Sequence, residues 1–380
     1  MRSSRERLVS RWAGPTVTAV RACFACLRRT WLVARLAGRI ECERRGRSGE
    51  LSLLLALGDE QLMRAVRAGG AVLGEYRTFD AGRARAAIQR AGLAAVCRHD
   101  GRYPAALGDL PDPPAVVHVA GDLELFIALT APERPAVAVV GARKASPYGL
   151  EAARSLGRGL AAADVPVVSG LALGADAAAH AGALEVGGPT IAVLAGAAER
   201  AYPRSKRRLY DAVRGHGAVI SEMPPGFTGH RWSFPARNRV IAALAGVTVV
   251  VEAAERSGSL ITAELARDLG RDVGAVPGRI TSPLAAGTNA LLKDGAAVVA
   301  EPRDALDLAC GVGQWTERDR RDQVPGHLRP LLTAVADGRE TLDALVAAGH
   351  GVGEAMAGLA ELEVLGHVRR AVGGRFVVAA

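Results

Sequence analysis

The stretch that decides the fold covers residues 228–266 and reads TGHRWSFPARNRVIAALAGVTVVVEAAERSGSLITAELA. The apolar run Val240–Leu244 predicts a helix, the β-branched run Val247–Val251 predicts a strand, and Ser257-Gly258-Ser259 breaks the chain before a second helix. A strand that ends in a short Ser/Gly turn before a helix leaves backbone N–H groups and the positive end of the helix dipole facing one spot. The stretch therefore predicts an anion-binding turn in an α/β fold.

Cations and aromatic rings alternate at the start of the same stretch. Arg231, Arg237 and Arg239 are interleaved with Trp232 and Phe234. Arginines beside aromatic rings suit a polyanion whose units also offer flat faces, which describes single-stranded nucleic acid. An ordinary strand–turn–helix unit with solvent-facing arginines is the alternative interpretation of these residues.

The net charge of +9 is concentrated near the start of the chain. Residues 1–50 hold 12 Arg and 4 Glu, whereas residues 51–380 hold 36 basic and 35 acidic side chains. The main part of the chain has no global field that would attract a polyanion, so a polyanion site there must be a local patch.

From residue 130 to residue 312, short apolar runs alternate with helical stretches. Wholly apolar strands separated by helices indicate a parallel sheet covered on both faces, so this region is predicted to be a Rossmann-like domain. Its ligand is expected beyond the carboxyl ends of the strands, where Gly and Ser residues gather. The predicted strands are Val137–Val140, Val165–Val168, Ile191–Leu194, Ala218–Ile220, Val247–Val251, Val273–Val276 and Ala297–Val299.

The regions on either side predict smaller units. Residues 1–20 are expected to be a disordered lead, and residues 21–125 an N-terminal helical region (of the SAM or helix–hairpin–helix kind) with a proline-rich linker. Residues 325–380 predict three helices and a hairpin with a Gly-Gly turn, which is the pattern of a winged helix. The expected fold class is thus α/β, with a Rossmann-like parallel sheet as its core.

Metal and membrane chemistry are not predicted. Cys23-x-x-Cys26 is a lone pair with no second Cys or His pair at zinc spacing, so buried thiols are the preferred interpretation. The five cysteines suit a reducing cytoplasm. No uninterrupted apolar run reaches the roughly 18 residues that a membrane helix needs. We therefore expect a cytoplasmic protein with no metal, no cofactor and no membrane contact.

Two further turns carry polar residues at predicted strand ends. Arg143 and Lys144 follow the first strand just before a helix, where they face either a phosphate or only solvent. Ser169-Gly170 follows the second strand, and Asp176 either caps the next helix or holds an arginine of a phosphate site. His180 is expected to be a half-buried helix residue, and the absence of a G-x-S-x-G elbow disfavours a Ser/His/Asp hydrolase.

The order and spacing of several motifs resemble the DprA/Smf family of bacterial DNA-processing proteins. These motifs are Val140–Gly149, Val168–Ala172 with Asp176–His180, Tyr202-Pro203, Ser221–Gly226, Phe234–Arg239, Ser257–Ala263 and Val276–Gly278. The segment from Tyr103-Pro104 to Gly121-Asp122 and the C-terminal pattern also resemble the family.

The resemblance implies a homodimer, not an enzyme, that binds and protects single-stranded DNA and loads the recombinase RecA onto it during natural transformation. In this picture Arg143, Arg237 and Arg239 clamp successive phosphates while Phe234 stacks on a base. The expected DNA-binding residues are Arg143, Lys144, Ser169, Gly170, Arg231, Phe234, Arg237, Asn238, Arg239, Ser257, Gly258, Ser259 and Thr262.

The chain departs from the family pattern at two turns. Ala142 stands where the family usually has a serine, and Leu173 stands where it usually has a basic residue, which removes one phosphate contact. The alternative function is nucleotide hydrolysis on a scaffold resembling the LOG or lysine-decarboxylase-like phosphoribohydrolases. Those enzymes carry a Pro-Gly-Gly-x-Gly-Thr turn and a catalytic Arg/Glu pair, whereas this chain has Arg256–Leu260 at the equivalent turn.

Overall fold

A computed structural model describes residues 19–44, 51–316, 324–364, 367–371 and 373–378. Its internal contacts divide the chain into two compact units, Met1–Thr316 and Glu317–Ala380. The predicted disordered lead lies outside the described residues except for its last two, of which Val20 begins a strand.

One ten-stranded sheet organises the first unit. Its strands are β1 Val20–Arg21, β2 Ala94–Cys97, β3 Val116–Gly121, β4 Val137–Val140, β5 Val167–Ser169, β6 Thr190–Val193, β7 Ala218–Ser221, β8 Val247–Val250, β9 Asp272–Ala275 and β10 Ala297–Val298. They are arranged in the order β1-β2-β3-β7-β6-β5-β4-β8-β9-β10. The central strands are buried along their whole length, as expected of apolar runs in a sheet covered on both faces.

Helices cover the sheet and build the N-terminal part of the same unit. They are α1 Phe24–Arg35, α2 Ala37–Arg44, α3 Leu51–Ala56, α4 Asp59–Ala65, α5 Gly70–Arg77, α6 Ala81–Arg90, α7 Leu123–Leu129, α8 Pro147–Ala162, α9 Ala175–Glu185, α10 Arg207–His216, α11 Ser233–Leu244, α12 Gly258–Asp268, α13 Ala286–Lys293 and α14 Pro302–Cys310. Short 3₁₀ turns lie at Ala105–Asp109, Arg204–Lys206 and Pro283–Ala285. None of the helices that the structure describes is long and apolar enough to cross a membrane.

The parallel part of the sheet fixes where a ligand can bind. Strands β4 to β10 all run parallel to their neighbours within this part. The chain builds from β4 outward through β5, β6 and β7, and then returns to the other side of β4 to add β8, β9 and β10. The strand order therefore reverses between β4 and β8, and ligands of open α/β sheets bind beyond the carboxyl ends of strands at such a point.

The sequence predicted the core strands but not the first edge of the sheet. All seven strands expected between residues 130 and 312 are present, with ends that differ from the prediction by at most two residues. Strands β1 and β2 were not predicted, although β2 pairs antiparallel with β3, and β3 pairs antiparallel with β7. The region predicted as helical thus contributes strands to the same sheet as the Rossmann-like core.

The N-terminal helices pack against the beginning of α11. The Trp232 side chain is fully buried among apolar side chains of α1, α2 and the residue that joins them, including Leu32, Leu36 and Ile40. Its indole Nε1–H donates a hydrogen bond to the carbonyl oxygen of Ala37 (3.0 Å). This contact anchors the helix start that carries Phe234.

The second unit contains the elements that the sequence predicted for it. Helices α15 Arg329–Ala336, α16 Leu342–Ala347 and α17 Val352–Val364 precede strands β11 Val368–Arg370 and β12 Phe376–Val378. The two strands form an antiparallel pair in which Arg369 lies opposite Val377. The assignment of this unit as a winged helix stays a prediction.

Candidate nucleic-acid interface

A cleft of about 400 Å³ lies at the carboxyl ends of β4 and β8, where the strand order reverses. Its walls come from the loop after β4, the start of α11 and the turn that begins α12. Nine of the thirteen predicted DNA-binding residues line it, and they are Arg143, Lys144, Phe234, Arg237, Asn238, Ser257, Gly258, Ser259 and Thr262. The sheet topology therefore brings together residues that are more than 100 positions apart in the sequence.

The Ser/Gly turn forms the N-terminus of helix α12. Ser257 is the N-cap residue, and its hydroxyl oxygen accepts a hydrogen bond from the backbone N–H of Ser259 (3.4 Å). The two serine hydroxyls lie 2.8 Å apart. The amide nitrogen of Asn238 donates to the Gly258 carbonyl oxygen (3.2 Å), which ties the turn to α11. An 11-residue helix thus points its positive end into the cleft, as the anion-binding turn requires.

An exposed cation and two aromatic rings meet at the mouth of the cleft. The guanidinium carbon of Arg143 lies 5.2 Å from the centroid of the Phe234 ring, within cation–π range. The Phe234 ring lies 5.6 Å from the ring of Tyr202, which is exposed. The loop that carries Arg143 is held by buried Glu252, whose two carboxylate oxygens accept hydrogen bonds from the backbone N–H (2.8 Å) and the hydroxyl (2.6 Å) of Ser146.

Arg237 forms the floor of the cleft. Its side chain is buried and donates from Nη1 to the carbonyl oxygens of Gly170 (2.7 Å) and Val193. Burial lowers the pKa of Arg237 to about 10, against the opposing effect of the Asp176 carboxylate. Gly170 makes this arrangement possible, since a Cβ atom there would lie 2.2 Å from Nη1 of Arg237.

Asp176 organises the loop next to Arg237. Its carboxylate accepts hydrogen bonds from the backbone N–H groups of Gly170 (3.1 Å) and Ala172 (3.3 Å). These amides precede α9, so Asp176 does not cap that helix, and it acts on Arg237 through its charge rather than through a hydrogen bond.

Arg239 does not line the cleft, contrary to the expected phosphate contact. Its guanidinium is buried and forms a bidentate ion pair with Glu222, with both N···O distances 2.8 Å. Its Nε donates to the carboxylate of Asp112 (2.8 Å), and the remaining donors reach backbone carbonyls. Both carboxylates compensate the charge of Arg239, so it holds the linker carrying Asp112 against α11 instead of facing a strand.

Three other predicted residues also lie outside the cleft lining. Ser169 is fully buried, and its hydroxyl donates to the carbonyl oxygen of Val139 (2.6 Å), so the hydroxyl is turned away from an incoming strand. Gly170 acts through Arg237, as described above. Arg231 is exposed just before α11 and is not part of the cleft wall.

The predicted burial of His180 also has to be corrected. The sequence predicted a half-buried residue, but the ring is fully buried. The Thr190 hydroxyl donates to the carbonyl oxygen of Val167 (2.9 Å), so its oxygen accepts a hydrogen bond from Nδ1 of His180 (2.6 Å). Burial and the nearby Arg237 charge lower the pKa of His180 to about 3. A histidine held this way has a structural role.

Sequence reasoning missed the extent of the surface. A second depression of about 590 Å³ shares Arg143 and Lys144 with the cleft and also includes Lys206. Leu173, which is 45% exposed, lies between Ala172 of the cleft and Gly174 of this depression. Only comparison with the family pattern drew attention to Leu173. The contact between Tyr202 and Phe234 was not predicted, because it depends on the tertiary structure.

The chain matches known proteins in sequence. The family model described as DNA recombination-mediator protein A matches residues 94–309. The putative DNA processing protein DprA of Mycobacterium tuberculosis (strain H37Rv) is 42% identical over 234 residues, which cover 61% of this chain and 59% of that protein. The match therefore spans about three-fifths of the length of that relative.

Two solved structures share the fold. The X-ray structure of DNA processing protein A from Streptococcus pneumoniae is 33% identical, with a TM-score of 0.58, and the match covers 74% of this chain and 95% of that one. DNA processing protein A from Helicobacter pylori, whose structure describes a single-stranded DNA binding mode, is 30% identical, with a TM-score of 0.51 and coverage of 57% and 94%. The chain belongs to the DprA/Smf family of DNA-processing proteins.

Proposed function

We propose that this chain binds single-stranded DNA, without reading its sequence, in the cleft at the carboxyl ends of β4 and β8. The observation that carries the proposal is the exposed Arg143 guanidinium, which lies 5.2 Å from the centroid of the Phe234 ring in a cleft that the N-terminus of α12 also lines. Cations would contact phosphates, the positive end of α12 would add backbone donors, and Phe234 with Tyr202 would offer flat faces to bases. The DNA-binding relative from Helicobacter pylori supports the same ligand class.

Arg237 takes a supporting part in this proposal. Its buried side chain donates to carbonyl oxygens under the cleft, and the nearby Asp176 carboxylate offsets part of its charge. The charge that remains raises the potential of the cleft without making a direct contact. The phosphate contacts themselves are assigned to Arg143 and Lys144, which are exposed.

The wider role follows from family membership. We propose that the chain protects unpaired DNA, passes it to RecA during natural transformation, and acts as a cytoplasmic homodimer without catalytic activity. The phosphoribohydrolase alternative has less support, because the buried acid at the end of β8, Glu252, already accepts two hydrogen bonds from Ser146.

Binding of fluorescein-labelled oligo-dT, followed by anisotropy at about 50 and 200 mM salt, tests the cleft. The wild type should lose affinity steeply between these salt concentrations. Arg143→Ala should weaken binding about tenfold and reduce the slope of log K against log salt by about 0.7, the value for one lost contact with a single strand. Neither change is expected to depend on the base composition of the oligonucleotide.

Arg267→Ala is the matched control, since Arg267 is exposed in the last turn of α12, at the end of that helix opposite the cleft. It should bind like the wild type. Equal losses from Arg143→Ala and Arg267→Ala would mean that DNA contacts the surface at large, and the cleft assignment would fail.

A further inference from the structure

Four side chains that can bind metals lie together at the first edge of the sheet. They are Cys23, Cys26, Cys97 and His99, and their ligand atoms all lie within 4.8 Å of one another. The sequence has no second Cys or His pair at zinc spacing, and it predicted only buried thiols for Cys23 and Cys26. Their partners in the structure are more than 70 residues away in the sequence, so local spacing could not reveal them.

Strand pairing brings these residues together. Strands β1 and β2 are parallel neighbours, with Arg21 opposite Val96, so their carboxyl ends lie side by side. Cys23 follows β1 and is the N-cap residue of α1, which places Cys26 in the first turn of that helix. Cys97 is the last residue of β2, and His99 lies two residues beyond it. The ligand positions are thus set by the sheet rather than by long loops.

The two sulfur–nitrogen distances match tetrahedral coordination. Nδ1 of His99 lies 3.4 Å from Sγ of Cys23 and 3.3 Å from Sγ of Cys26. A tetrahedral zinc ion with Zn–S bonds of about 2.3 Å and a Zn–N bond of about 2.0–2.1 Å separates sulfur from nitrogen by about 3.5 Å. One S–H···N hydrogen bond accounts for one of these contacts but not for both, because one ring nitrogen has a single in-plane position for a partner.

The surroundings suit a metal-bound thiolate. The backbone N–H of Cys23 points to Sγ of Cys97 at 3.5 Å, and amide donors of this kind orient and stabilise thiolate ligands. All three cysteines are free of disulfide bonds, and Cys26 and Cys97 are buried. Three thiolates and one imidazole favour zinc over the oxygen-preferring magnesium and calcium ions.

We propose that Cys23, Cys26, Cys97 and His99 bind one Zn²⁺ ion in a closed Cys₃His site. Four protein ligands leave no open position, so the role of the ion is structural. It joins the N-terminus of α1 to the end of β2 and so fixes the N-terminal helices to the sheet. Strands β3, β7, β6 and β5 lie between β2 and β4, which puts the ion about 24 Å from the cleft at the usual strand spacing.

The zinc content of the full-length protein, purified under reducing conditions and measured by inductively coupled plasma mass spectrometry, tests the proposal. The wild type should carry about one zinc ion per chain. Cys23→Ser and His99→Ala should lose most of it. Cys42→Ser and Cys310→Ser are matched controls, because both thiols are free and lie outside the cluster, and they should keep it.

Two outcomes would overturn the proposal. One is a wild type that lacks zinc and takes up none when Zn²⁺ is added to the reduced protein. The other is a zinc content that falls as much in Cys310→Ser as in Cys23→Ser.

A measurement on the wild type covers the case in which the ligand variants fail to fold. Replacing zinc by Co²⁺ should produce the intense visible bands of a tetrahedral ion and the charge-transfer bands of thiolate ligands. The weak spectrum of an octahedral ion would contradict the assignment, as would a disulfide between Cys23 and Cys26 in the freshly purified protein. Because the ion lies far from the cleft, His99→Ala that folds should keep its affinity for oligo-dT.

Discussion

Arg237 and Arg239 lie two positions apart on helix α11, yet they end in opposite surroundings. Arg237 contacts backbone carbonyls under the cleft, and its charge has no bonded carboxylate. Arg239 is enclosed by the carboxylates of Asp112 and Glu222. Residues two apart on a helix point about 200° from each other around its axis, so one of the pair faces the cleft only if the other faces away. Identical side chains in one motif can therefore have separate roles, one electrostatic and one structural.

Removal of the Arg239 side chain should have the largest effect on stability. Arg239→Ala leaves Asp112 and Glu222 without their cation at a site where the Arg239 side chain is 5% exposed. Breaking a buried ion pair in this way costs about 3–5 kcal/mol, which urea unfolding would measure. Arg231→Ala, at an exposed residue near the same helix start, should change stability by less than about 0.5 kcal/mol. An Arg239→Ala variant that is as stable as the wild type but binds DNA weakly would mean that Arg239 contacts DNA and has no structural role.

Acid should lower the free energy of unfolding through His180, which is buried near Arg237. The pKa of His180 is about 3 in the folded protein, against about 6.5 in the unfolded chain, so only the unfolded chain takes up a proton as pH falls below 6.5. Stability from this residue is present at pH 7.5 and is lost on acidification, by about 2 kcal/mol at pH 5. Urea unfolding at both values should show a smaller pH dependence for His180→Gln than for the wild type. Identical pH dependence in the two proteins would mean that His180 is protonated in the fold.

Replacing Phe234 should separate the contribution of base stacking to DNA binding from that of charge. Phe234→Leu should weaken oligo-dT binding about tenfold, because a stacked base contributes about 1–3 kcal/mol, while leaving the salt dependence unchanged. Anisotropy titrations at two salt concentrations would measure both quantities. Phe79→Leu, at a partly buried ring that packs against Phe24 and Trp31, should bind normally. A change in salt slope for Phe234→Leu would show that the ring acts mainly by positioning Arg143.

The smallest expected effect is a gain in affinity for DNA. Leu173 is exposed beside the cleft, so Leu173→Arg adds a cation where the family usually has one. We expect binding about threefold tighter and a salt slope steeper by about 0.7, as for one added phosphate contact. Leu173→Gln, which adds polarity without charge, should behave like the wild type. Equal affinities of all three proteins at low salt would mean that the strand does not pass this residue.

The sequence predicted most of the core and the position of the cleft, because both depend on patterns within short stretches of the chain. Each strand of the Rossmann-like sheet is a short apolar run followed by a small-residue turn, and parallel strands bring such turns to one edge. Arg143, Asn238 and Ser257 were found from this rule and from the family motifs, and all three line the cleft.

The wrong predictions share one cause, which is contact between residues that are far apart in the sequence. The roles of Arg239 and Ser169 depend on Asp112 and Val139, partners that no local pattern identifies. The helical period alone argues against placing Arg237 and Arg239 at one site, and that signal was present in the sequence. The pairing of β1 with β2, which brings Cys97 to Cys23, had no such local signal.

The two depressions that meet at Arg143 and Lys144 make the surface a passage rather than a pocket. A closed pocket has to receive a terminus or a single nucleotide, whereas a passage can engage a polymer anywhere along its contour. In the proposed function, a surface of this kind can bind the interior of a long strand, or a closed circle, without searching for an end. Many copies could therefore occupy one strand side by side, each covering the few nucleotides that cross it.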